Sequence, residues 1–194
     1  MSKSDSASNK KERNKTIRWV VTIFFVTIFV SGLISFASDA IMAGSSMLVA
    51  FIILLIIILI GILFDIVGVA VTSADEKPFH SMAARKVPGA QEAIRLLRKA
   101  EQVSSICNDV VGDICGVVSG SASATIAAQI LMNAEFGFPQ IVSLAMSALA
   151  AGLTVGGKAI GKTFAVNSCT EIVHMVGKLI ASFRRFTGKG KKKK

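Results

Sequence analysis

The sequence predicts an all-α polytopic membrane helix bundle with four transmembrane helices, and three observations carry that reading. A chain of 194 residues that is 52% hydrophobic, with mean hydropathy +0.63, has more apolar surface than one soluble core of its size hides, so lipid is its main solvent. Four apolar runs, residues 19–37, 47–71, 103–132 and 139–157, are each long enough to cross roughly 30 Å of hydrocarbon as a helix. All 22 Lys and Arg fall in three segments: six in residues 1–18, six in 77–99 and ten in 158–194. The loops between, 38–46 and 133–138, contain none. Cationic loops stay on the cytoplasmic side, so the expectation is a multi-pass protein of the cell membrane with both termini cytoplasmic.

Residues 1–18 form a basic tail whose first sixteen are Ser, Lys and Asn rich without an apolar face, which predicts disorder. The first span, 19–37, follows basic residues as a signal peptide would, but a signal h-region is shorter, roughly 15 residues. It is expected to remain as an anchor, with Trp19 at the interface. Span two, 47–71, is the most apolar and is interrupted near its cytoplasmic end by Asp65.

Residues 72–102 are a polar interval carrying Pro78 and Pro88, read as a cytoplasmic juxtamembrane hairpin of two short helices, near 79–85 and 89–101. The second places Ala93, Ile94, Leu97 and Ala100 on one side, which predicts an amphipathic helix lying on the membrane surface. Span three, 103–132, repeats Gly112, Gly116, Gly120, Ala124 and Ala128 every fourth residue, and span four, 139–157, repeats Ala148, Gly152 and Gly156. Small residues so spaced let helices associate in lipid, either with each other or with a second subunit. Residues 164–186 read as another amphipathic segment, and 188–194 as a lysine-rich cytoplasmic tail suited to anionic headgroups.

A net charge of +10 raises nucleic acid as a partner. The cations flank apolar spans and lack interleaved aromatics, so anionic lipid headgroups are expected and nucleic acid is not. Cys107, Cys115 and Cys169 have no finger-like spacing with His80 or His174 and are read as reduced packing residues. No nucleophile motif or phosphate loop points to an enzyme or an organic cofactor.

Asp65, Asn108, Asp109 and Asp113 lie within or at the cytoplasmic ends of spans two and three. A charged side chain at mid-depth costs on the order of 3 kcal/mol, so these groups are expected to face the bundle or water. Asp109 and Asp113 share a helical face. With Asp65 from the neighbouring span they offer the oxygen ligands a hard cation such as Mg2+ prefers, while the ion keeps several waters. Lys158 and Lys162, also four apart, offer an alternative: they could neutralise Asp109 and Asp113 as structural ion pairs.

Three pieces of residues 64–165 resemble the transmembrane domain of the CorB/CorC and CNNM family of magnesium and cobalt transporters. They are Val87-Pro88-Gly89-Ala90-Gln91-Glu92-Ala93-Ile94-Arg95-Leu96-Leu97, the pair Gly112-Asp113, and Gly157-Lys158-Ala159-Ile160-Gly161-Lys162-Thr163-Phe164-Ala165. The resemblance implies a core over 47–163, a cytoplasmic hairpin, a homodimer, and a divalent cation among the first two core spans, with 19–37 an additional transmembrane helix. The chain departs from the family pattern at Asp113, where the family has Asn, at Lys158, which replaces an acid, and at Gly161, which replaces Pro. Two functions follow as expectations. One is a divalent-cation transporter or exporter, in which Asp65, Asn108 and Asp113 hold the ion and Asp109 assists. The other is a non-transporting membrane scaffold or regulator whose cation site is replaced by Asp–Lys pairs.

Overall fold

Four helices are long and apolar enough to cross a membrane: Ile17–Met42, Met47–Ser73, Ala100–Met132 and Gln140–Asn167. They belong to an all-helical fold seen in a computed structural model that describes residues 3–133 and 139–186. In order the elements are α1 (Lys3–Ala43), α2 (Met47–Ser73), α3 (Lys77–Ala84), α4 (Ala90–Leu97), α5 (Ala100–Ser105), a π-helical turn (Ile106–Val111), α6 (Gly112–Asn133), α7 (Pro139–Asn167) and α8 (Cys169–Phe186). The second polar loop, 133–138, falls almost wholly outside the described residues, as does the lysine tail.

The first helix overruns its expected limits at both ends. From Lys3 the basic tail continues α1 instead of lacking structure, because extending an existing helix adds a hydrogen bond per residue without a new nucleus and Lys, Glu and Arg are good formers. At the other end no breaker intervenes before Ala43, so Ser38 and Asp39 are helical and the connection shrinks to residues 44–46.

Helix α2 packs against α6 and α7 and forms the centre of the bundle. A Cβ added at Gly61 would meet Cys115 Cβ at 2.9 Å, and one at Gly68 would collide with Asn108 Oδ1, so α2 and α6 run antiparallel. Gly157 and Gly161 of α7 lie against Ile62 and Ile66 in the same way, so α7 runs parallel to α2. These four glycines set the close approaches. The rows predicted to do so behave differently: a Cβ at Gly116, Gly120, Gly152 or Gly156 would meet nothing within 4 Å. The expected α6–α7 contact exists, but apart from Gly112, which lies against Lys158 of α7, these two rows look outward, away from it.

At the basic end, α3, α4 and α8 fold onto the end of α2 around a second core. Phe79, Ala93, Ala70, Val71, Ala165 and Val173 are buried there, with Leu97 beside them. The apolar side of α4, expected on a membrane surface, is instead covered by α8 and α2. Gly89 permits this. It adopts φ +88°, and its missing Cβ would meet Lys178 N at 2.6 Å and Lys178 Cα at 2.7 Å, so the residue meets a conformational and a steric demand together. Glu92 then receives Arg184 Nη1 of α8 at 2.8 Å and Arg95 Nη1 at 2.9 Å.

Of the predicted amphipathic segment, residues 164–167 finish α7 and 169–186 form α8. Met175, Leu179 and Phe183 are exposed on α8, beside a polar face carrying Lys178 and Arg185. All three cysteines are free thiols.

Candidate cation site

Asp65 lies about 27 Å along α2 from Met47 at about 1.5 Å per residue, close to the far boundary of a hydrocarbon layer about 30 Å thick. It is 4% exposed. On α2 it shares a stripe with Gly61 and Gly68, which face Cys115 and Asn108. It therefore looks toward the interval between those two residues, level with Val111 at the end of the π-helical turn.

That turn positions Asn108. Gly112 N–H donates to Cys107 O, five residues back, and the widened turn carries the Asn108 side chain onto the flat surface of Gly68. Asn108 Nδ2 donates to Ser104 Oγ at 3.3 Å. Two oxygens remain: Asp65 Oδ2 and Asn108 Oδ1 are both buried without a hydrogen-bond partner. A buried acceptor left unpaired costs about 1–3 kcal/mol, more when charged, and one-turn π-bulges occur often at functional sites. The two acceptors lie one turn apart along the α2–α6 interface.

The four predicted ligands are not gathered into one group. Asp109 and Asp113 are exposed on the outer side of the π-helical turn and α6, and Asp109 Oδ2 accepts from Ser105 Oγ at 2.8 Å. Among the described residues no three His, Cys, Asp or Glu side chains converge to hold a metal. The widened turn accounts for this in part, since it rotates residues 109 and 113 relative to a regular α-helical register. The predicted Asp–Lys pairs are not formed either: among the described residues no ion pair joins Asp109 or Asp113 to Lys158 or Lys162. Lys162 is exposed. The Lys158 ammonium instead approaches Gly112, 3.2 Å from where its Cβ would be, at the depth of Asp65.

Sequence reasoning passed over Ser104, which orients the Asn108 amide, and the groups at the far end of α1. Ser121 Oγ donates to Asp39 Oδ1 at 3.1 Å, and Gln129 Nε2 to Met42 O at 3.2 Å. The signal was available: apolar residues resume at Ala40, Ile41 and Met42, placing Asp39 inside an apolar stretch. A surface depression of about 440 Å³ lined by residues 97–102 lies at the α4–α5 corner and includes none of the candidate ligands. No family model, curated protein or solved structure matches the chain.

Proposed function

We propose that this chain is an integral membrane transporter of a small cation, magnesium-like in its preference for oxygen ligands, with Asp65 and Asn108 as its binding pair. The observation that carries the reading is the pair of buried acceptor oxygens without donors, Asp65 Oδ2 and Asn108 Oδ1. Intramembrane ionisable residues mark ion pathways by default, and Mg2+ is commonly held by one or two carboxylates while retaining several waters. One carboxylate, one amide oxygen and retained water make a donor set of that kind.

In this reading the three basic segments face the cytoplasm of a cell, both termini included, and the site opens toward that side. The open rows on α6 and α7 are the surfaces for a second copy. A homodimer packed on the α6 row would also cover Asp113, which lies on the same side of the helix as Val117 and Gly120. Anionic headgroups accompany the basic tails.

The second reading is a membrane scaffold in which Lys158 occupies the cation's place. The ammonium beside Gly112 favours it. Titration calorimetry of magnesium chloride into the detergent-solubilised full chain separates the two, together with magnesium flux in proteoliposomes. Transport requires a binding heat and a flux that Asp65→Asn abolishes. Absence of both in the parent chain, with its melting temperature indifferent to magnesium, selects the scaffold.

A further inference from the structure

A second polar station lies deeper in the bundle, at the contact between α1 and α6. The packing side of α1 is marked by its shielded residues: Ser35, Ser38, Asp39 and Met42 are the better covered positions among largely exposed neighbours. Their spacing of three, four and seven residues puts all four on one helical face. Since α1 packs chiefly on α6, Ser38 and Asp39 both face that helix. Asp39 Oδ1 accepts from Ser121 Oγ at 3.1 Å. Ser38 is 7% exposed, and its Oγ has no hydrogen-bond partner.

Other buried serines set the contrast. Ser119 Oγ donates to Gly116 O and Ser123 Oγ to Gly120 O, at 2.9 and 2.8 Å, the usual way a helical serine satisfies itself inside lipid. Ser38 makes no such bond, although its own helix offers the same carbonyls. An ionised carboxylate accepts at roughly four positions, so the Ser121 hydroxyl leaves Asp39 with acceptor capacity to spare. Ser121 lies about 18 Å from the end of α6 at Asn133 and about 15 Å from the level of Asp65, so this is a separate place along the bundle.

We infer that Asp39, Ser38 and Ser121 form a binding site for a monovalent cation of sodium size that keeps part of its water. The donor set decides the class. It offers one negative charge and two neutral hydroxyl oxygens, which balances a single positive charge. A calcium-like divalent ion gathers six to eight oxygens and favours several carboxylates, whereas this set holds a single carboxylate. The site involves neither Asp65 nor Asn108 and stands whether or not those residues carry magnesium.

The test is retention of radioactive sodium by the detergent-solubilised full chain immobilised on beads, with N-methylglucamine holding ionic strength constant. The parent chain retains sodium that unlabelled sodium displaces. Asp39→Asn loses it to the level of protein-free beads, Ser38→Ala and Ser121→Ala each weaken it, and Asp65→Asn leaves it unchanged. No retention by a monodisperse parent chain overturns the assignment, as does full retention by Asp39→Asn. Loss in Asp65→Asn moves the ion to the other site, and displacement by magnesium at lower concentration than sodium rules out the monovalent class. Should Asp39→Asn fail to fold, the two serine variants decide, and unchanged retention in both refutes the site.

Discussion

The helical cap at the basic end and the spanning bundle each enclose an apolar cluster, but they differ in what covers their outer faces. In the cap, α3, α4 and α8 close around Phe79, Ala93 and Val173, each 0% exposed, and the approach of α4 to α8 is tight enough to require glycine at 89 and 177. In the bundle, long apolar side chains such as Leu48, Phe36 and Ile160 point outward. Its contacts combine a buried apolar stripe of Leu54, Ile58, Ala122 and Ile126 with close approaches at Gly61, Gly68, Gly157 and Gly161, while Gly116, Gly120, Gly152 and Gly156 face open space. The difference follows from solvent. Beyond the bilayer, burying apolar surface drives packing. Within it lipid tails are as apolar as leucine, so close packing and polar contacts decide which helices meet.

The largest effect should come from breaking the cap. Phe79→Ala removes its biggest fully buried side chain and is expected to cost about 3–5 kcal/mol, read as a lowered denaturation midpoint and early proteolysis between α3 and α8. A cost under about 1 kcal/mol would show that the cap is not held by its apolar core.

Gly89→Ala follows, at about 2–3 kcal/mol from its left-handed backbone and the collision with Lys178. Cross-linking or spin-label distance between α4 and α8 should register the separation. Preserved spacing would contradict the close contact.

Within the bundle the sign reverses. Asp65→Asn replaces a buried carboxyl whose Oδ2 lacks a donor with an amide that can donate toward Asn108 Oδ1, and without cation it should stabilise the chain by about 1–2 kcal/mol while abolishing magnesium-dependent stabilisation. Destabilisation in metal-free buffer would indicate that Asp65 has a structural partner.

The smallest change is expected at Gly152→Ala, between zero and about 1 kcal/mol of stabilisation from helix propensity, because nothing occupies the space. A shift from dimer to monomer in this variant, followed by light scattering in detergent, would identify the row as a subunit contact.

Much of this architecture was legible beforehand, and particular residues show why. Spans are fixed by the length of apolar runs against the thickness of hydrocarbon, so the four crossings were visible without knowledge of their neighbours. The first hairpin helix and the start of the second were readable from Pro78 and Pro88, but the second, expected over 89–101, ends at Leu97, and a new helix begins at Ala100. The candidate site was legible only in part. Asp65 and Asn108 were identifiable as polar groups in apolar surroundings, but the destination of Asp109 and Asp113 depends on the π-helical turn at 106–111, which the helical period did not announce.

The glycine rows make the same point from the other side. A four-residue interval specifies that a helix can be approached closely, but not that another helix arrives. The sequence by itself determined the helical class, the four spans and the polar positions along them, because these depend on local hydrogen bonding and transfer from water to lipid. Only tertiary packing decided which glycines touch a neighbour, which carboxylates turn inward and that Asp39 meets Ser121, because each depends on the rotation of one helix against another.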